Sequence, residues 1–250
     1  MTWNKRGQVT IFVIVAIVIV GVIALIFFFP QVNVFIAGDV NPSAYLKGCI
    51  EPKVDEVLNV LTKQGGYSQP TNYVLYQGEK IQYLCYTSES YKPCVVQQPL
   101  LIRHVENEIG DYIKPIARQC VGDLEAEYEK RGYNVRTTPG DVNVSIVMNN
   151  IVVDFVSPMT IEKESTQTFR KFAVSIESEL YDLLSIATNI IQFESTLGGS
   201  ETSLYLQYYP DLRIDKTKRN GDTIYKLSDV TTGDEFTFAS RSLVWPEGYT

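Results

Sequence analysis

The chain has 250 residues, 45% of them hydrophobic and 20% charged, with four cysteines and one histidine. That length can bury a full core, and the composition is neither disordered nor collagen-like. Residues 1–30 hold Lys5 and Arg6 and no acid, which leaves 20 basic against 29 acidic residues, a net of −9, in the rest of the chain. A body so acidic repels phosphate backbones, so nucleic acid is not expected as a partner, and a single histidine removes every site that needs two imidazoles.

Ile11 to Phe29 (IFVIVAIVIVGVIALIFFF) is an unbroken run of nineteen apolar residues. As a helix it is about as long as the ~30 Å hydrocarbon core of a bilayer is thick. Lys5 and Arg6 precede it and Asp39 is the first charge after it. The positive-inside rule therefore places a short head, residues 1–7, in the cytoplasm and the body from about residue 31 outside. A secretory core is usually shorter and ends at small residues. Here the nearest small exit, Ala37-Gly38, has Phe35 at the −3 position. The segment thus reads as a retained signal anchor: residues 1–30 form head and span, 31–42 a juxtamembrane connector, and 43–250 an extracytoplasmic α+β domain with a candidate subdivision near 133–140.

Within that body, a first helix is predicted from about Ser43 to Lys63, with Leu46, Ile50, Val54, Val57, Leu58 and Leu61 on one stripe and Gly65-Gly66 as its stop. Tyr73–Gln77 and Lys80–Tyr86 read as strands around a Gly-Glu turn. Pro99 suits the first turn of a second helix. Its stripe is Leu101, Val105, Ile109, Tyr112, Ile113, Ile116, Cys120, Leu124 and Tyr128, with a kink expected at Pro115 and an end near Gly132. Asp141–Met148 and Ile151–Val156 form a hairpin joined at Asn149-Asn150, and Phe169–Ile176 a further strand. Ser178 caps a third helix running to about Thr196, Gly198-Gly199 ends it, and a short helix leads to Tyr209. Leu212–Lys218 and Thr223–Leu227 flank Asn220-Gly221, a strong hairpin signal, and Glu235–Ala239 adds a last strand. The expectation is a span followed by three main helices and short antiparallel hairpins, without internal repeats.

Cys49, Cys85, Cys94 and Cys120 all fall on the outer side, where an even number of cysteines favours two disulfides. No Cys-x-x-Cys pair is present, so no metal site is expected. Three pairings exist. The short polar loop between Cys85 and Cys94 favours that local bridge, leaving Cys49 to reach Cys120 between the first two helices. Asn143-Val144-Ser145 is a glycosylation sequon, whereas Asn41-Pro42-Ser43 is excluded by its proline. His104, with Glu108 one turn on and Arg103 beside it, reads as a solvated helix face. Glu106/Glu108 and Glu162/Glu164 are spaced two apart, which on a helix sends the two carboxylates in different directions. No nucleotide-binding loop, nucleophile elbow or zinc-helix motif is present. Neither a catalytic residue nor a cofactor is expected. Tyr73, Tyr76, Tyr83, Tyr86 and Tyr91 in one stretch, with Tyr205, Tyr208 and Tyr209 in another, favour a contact surface for a protein or cell-surface partner.

Two resemblances bear on this reading. Lys5-Arg6-Gly7-Gln8 ahead of the apolar run resembles the class III (prepilin-type) signal of archaeal pilins. That resemblance implies cleavage after Gly7, Gln8 as the new N-terminus and self-assembly into a filament; Phe12 stands where many pilins carry glutamate. The N-terminus KRGQVTIFVIV, the segment Leu84–Leu101 (LCYTSESYKPCVVQQPLL) and Phe238–Tyr249 (FASRSLVWPEGY) together resemble a family of single-span surface proteins of small-genome, symbiont-type archaea. The family implies an archaeal envelope setting and no assigned activity. The function expected is thus a membrane-anchored, non-enzymatic binding or structural ectodomain. A pilin-like subunit and an envelope hydrolase using scattered carboxylates are the alternatives.

Overall fold

The computed structural model describes residues 40–138 and 140–244. The apolar run Ile11–Phe29, the head with Gly7 and Gln8, and the connector as far as Asp39 lie outside these residues. Among the described residues no helix is long and apolar enough to cross a membrane. From Asn41 onward the chain forms one unit, an α+β body whose strands pair almost entirely antiparallel.

Helix α1 (Pro42–Leu61) begins where Asn41 Oδ1 accepts the backbone N–H of Ser43 at 3.0 Å and of Ala44 at 3.2 Å. Pro42, expected in the connector, is the first helical residue, a position whose N–H would be unpaired in any case. Leu46, Ile50, Val54, Val57 and Leu61 are buried, with Leu58 only half-buried. The helix stops as Gly65 and Gly66 turn to φ +72° and +85°, and Gly66 N–H donates to Leu61 O at 2.8 Å. Strands β1 (Tyr73–Tyr76) and β2 (Glu79–Tyr86) follow. Their loop is Gln77-Gly78, both at positive φ. The expected Gly-Glu turn is therefore shifted by one residue, because a two-residue loop of this kind needs positive φ at both positions and Gly78 supplies the second at no steric cost. β3 (Val95–Val96) pairs with β2.

Helix α2 (Leu101–Lys130) is continuous over thirty residues, with Pro115 inside it. Pro99 lies in the turn before it rather than in its first turn. Tyr112 leaves the expected stripe: it is exposed, and its hydroxyl donates to Glu56 at 2.9 Å. The four-residue step from Ile113 lands on Ala117, so Ala117 and Val121 are buried while Ile116 is only partly so. The stripe packs on α1, where Cys49 and Cys120 are bridged with Cα atoms 6.2 Å apart.

β4 (Asn134–Thr137), β7 (Met159–Glu162) and β8 (Thr166–Phe169) form one small sheet, and β5 (Val142–Val147), β6 (Asn150–Phe155) and β9 (Phe172–Glu177) another. The β5–β6 loop is Met148-Asn149, one residue earlier than expected, with Asn149 alone at positive φ. The single strand expected at Phe169–Ile176 is broken at Arg170-Lys171 into β8 and β9, which belong to different sheets. Helix α3 (Leu180–Leu197) is capped from across the fold. Asp234 Oδ2 accepts Glu179 N–H at 2.6 Å and the Ser178 hydroxyl at 3.0 Å, while Ser178 Oγ accepts Leu180 N–H at 3.2 Å. Gly198 ends it at φ +76°.

Helix α4 (Ser203–Tyr208) buries no residue. β10 (Leu212–Arg219), β11 (Asp222–Asp229) and β12 (Glu235–Arg241) complete a six-stranded sheet of order β1-β2-β12-β11-β10, with β3 beside β2. Asn220 and Gly221 take φ +53° and +82°, as the hairpin requires. β12 inserts parallel to β2, the one parallel pairing among the described strands.

Candidate functional site

The six-stranded sheet has two unlike faces because successive residues of a strand point opposite ways. Tyr225, Leu227, Phe236 and Phe238 are fully buried on one face, and Tyr225 reaches α3. The other carries Ile81, Tyr83, Ile224 and Ala239, with Val74, Tyr76 and Tyr86 packed against them. A groove of about 530 Å³ opens on this second face. Ile81 and Ile224 form its apolar floor, Tyr76 one wall, and Lys63, Gln77, Glu79, Asp215, Thr217, Lys226, Glu235 and Thr237 its polar rim. Lys226 and Glu235 are ion-paired there. An apolar floor with convergent donors and acceptors, of this size, is the usual form of a ligand or partner site. Beside the groove Tyr83 donates to Asp222 at 2.9 Å, and Arg241 Nη1 donates to Asp222 at 2.7 Å and to Asn220 O at 2.9 Å. Burial, reinforced by Asp222, pushes the Tyr83 phenol well above its ordinary range, so it stays a neutral donor. The trio locks the end of β11 to β2 and β12.

The tyrosines singled out in the sequence divide. Tyr76, Tyr83 and Tyr86 build this face, and Tyr73 lies under the Lys80 ammonium, 4.9 Å from its ring centre. Tyr91, Tyr208 and Tyr209 are exposed elsewhere. The groove's polar residues come from segments more than a hundred residues apart, so no linear pattern announces them.

A second polar cluster is enclosed behind the sheet. Glu194 on α3 is 2% exposed and accepts the Tyr225 hydroxyl. Burial first, then the Glu194 charge, raises the Tyr225 phenol far above its ordinary value. Lys216 Nζ donates to Ser200 O at 2.8 Å and stands 5.3 Å from the Tyr225 ring centre. Desolvation lowers its pKa, and Lys218 adds to that lowering, while Glu194 and Glu201 oppose it. The Ser200 and Tyr205 hydroxyls are buried without a hydrogen-bond partner among the described residues. Lys216 thus engages the serine's carbonyl and not its hydroxyl, and the nucleophile–base hydrogen bond of a hydrolase is not formed. Sequence reading passed over Glu194, although it falls four residues after Ile190 on the apolar stripe of α3, a spacing that marks a buried carboxylate.

His104 is not on a solvated face. Its ring lies 4.0 Å from that of Tyr67, its Nε2 is buried with no hydrogen-bond partner among the described residues, and Glu108 Oε1 stands 3.8 Å away. His104 lies outside the groove. Glu106 and Glu108 diverge as their spacing requires. Glu106 accepts Ile146 N–H at 2.9 Å from β5, and Glu108 accepts Ser68 N–H at 3.1 Å. Glu162 lies on strand β7, not on a helix, and Glu164 on the bend after it. Asn143 is exposed on β5, an edge strand of its sheet, with Ser145 exposed beside it. Both disulfides are formed, Cys49–Cys120 and Cys85–Cys94, and no free cysteine remains among the described residues. Among the described residues no three His, Cys, Asp or Glu side chains are placed to hold a metal. Comparison with protein-family models, curated proteins and solved structures finds no match for this chain.

Proposed function

We propose that this protein is a membrane-anchored, extracytoplasmic binding or structural protein of an archaeal cell envelope, without catalysis. The observation that carries the reading is the pair of disulfides in a body that follows a nineteen-residue apolar run, since such bridges persist in oxidising compartments. The groove walled by Tyr76, on the sheet face that also carries Tyr83 and Tyr86, supplies a surface for a protein or cell-surface partner. The polar clusters favour the same view, because their charged groups are engaged in holding strands and loops together rather than converging on a reactive centre.

Protease shaving of intact cells that express the full chain with an N-terminal tag tests this. The body is expected to be digested from outside while the tag is protected and stays with the membrane fraction, and non-reducing peptide maps should show both bridges. A body protected in intact cells, or a chain found in the cytosol with four free thiols, overturns it.

A further inference from the structure

The β10–β11 hairpin carries opposite charges at its two ends. At the turn, Lys218 and Arg219 are exposed, and neither side chain has an ion pair or hydrogen bond among the described residues. Arg219 sits opposite Asp222 in the strand register, but that carboxylate is already engaged by Arg241 and Tyr83. At the far end of the hairpin lies a cleft of about 270 Å³ floored by the buried Leu183 and Ile186. Four carboxylates, Glu179, Asp182, Asp211 and Asp229, line it and no lysine or arginine does. Asp229 caps the backbone of Thr231 and Thr232, and Glu179 accepts from Asn149. Asp182 and Asp211 have no side-chain partner among the described residues. Tyr208, 80% exposed, stands at the rim and offers the open ring face that a guanidinium or ammonium favours.

We infer that the acidic cleft receives the Lys218-Arg219 hairpin tip of a second copy of this chain. Charge complementarity selects this occupant. In a body of net −9 most pairs of faces repel, and this tip is a rigid two-residue turn that ends in adjacent unpaired cations. Of the other adjacent basic pairs among the described residues, Lys130-Arg131 has its arginine ion-paired with Glu127, and Arg170-Lys171 lies on a connection between two separate sheets. Tip and cleft occupy different surfaces of one molecule, so the contact is heterologous and repeats head to tail, building rows or rings rather than closed dimers. The inference goes beyond the proposed binding role and holds whichever partner the sheet groove takes.

Zero-length carbodiimide cross-linking reads it directly. Within one chain Lys218 and Asp211 are seven strand positions apart, about 23 Å at ~3.3 Å per residue, so an amide between them can form only between two chains. An equal mixture of ¹⁵N-labelled and unlabelled full-length protein in detergent micelles, at 50 mM salt, should give mixed-isotope peptides joining Lys218 to Asp211 or Asp182. Their yield should fall at least tenfold at 500 mM salt, where charges are screened within a few ångströms. Lys218→Glu with Arg219→Glu should abolish association. Asp211→Lys with Asp182→Asn should do the same, and mixing the two variants should restore it, which also shows that both are folded. Absence of the mixed-isotope peptide in the unaltered protein overturns the inference. So does a dominant cross-link from Lys171, or association that the tip variant leaves unchanged. Because the readout does not depend on cellular location, failure here is distinct from failure of the shaving experiment.

Discussion

At the scale of single residues, two buried groups make sharp predictions. Tyr225→Phe removes the hydroxyl that the enclosed Glu194 accepts while leaving the carboxylate in place. An orphaned buried acceptor costs about 1–3 kcal/mol, and more when charged. Urea unfolding should show that loss, and Glu194→Leu combined with Tyr225→Phe should cost less than the two single changes added together. His104 makes a prediction about pH. Burial holds its pKa below the ordinary 6.5, against the opposing pulls of Glu108 and the Gly66 carbonyl. The unfolded chain therefore takes up the proton first, so stability falls as pH drops below about 6.5 and is level, for this group, above it. Glu108 on its own helix, with Tyr67 and the Gly66 carbonyl from the segment after α1, stand against it. Between pH 7 and pH 5 the unaltered protein should lose more stability than His104→Phe, which keeps the ring against Tyr67.

Among the elements, glycines give a matched pair. Gly66 has positive φ, and a Cβ there would lie 2.8 Å from Val105 Cγ2 on α2. Gly48 sits inside α1 with nothing near its Cβ position. Gly48→Ala should raise stability by about 0.5–1 kcal/mol, while Gly66→Ala should lower it by more than that, both read from denaturation midpoints. Elements with strong periodicity or turn chemistry were legible in the sequence: the stripes of α1 and α3, and the Asn220-Gly221 hairpin. Strand β8 was not, because Thr166–Thr168 is polar and exposed and the strand has no apolar alternation to read. The open groove was equally hidden. The tyrosines of β1 and β2 stood out as a group, but the rest of the groove, from β10, β11 and β12, reaches them only because β12 enters beside β2, a pairing made across about 150 residues.

For the molecule as a whole, the two bridges divide the labour unequally. Cys49–Cys120 closes a span of 71 residues and Cys85–Cys94 one of 9. In the chain-entropy treatment these restrict the unfolded chain by about 4 and about 2.5 kcal/mol respectively. Replacing Cys49 and Cys120 by serine should therefore lower the denaturation midpoint more than replacing Cys85 and Cys94. The acidic surface adds a second global property. At low ionic strength copies repel except where tip meets cleft, so added salt should weaken specific association while easing general repulsion.

The position of β12 has a consequence for the order of assembly. It is the last of the described strands in sequence yet lies inside the sheet, between β2 and β11. In a chain delivered N-terminus first, the hairpin of β1 and β2 and the hairpin of β10 and β11 wait as separate pieces, each with an unfilled edge, until residues 235–241 arrive. Closure of the sheet must therefore wait for β12 itself. A chain cut short before Glu235 should keep its local hairpins and its Cys85–Cys94 loop but leave two open edges, the condition in which extended chains pair with strangers.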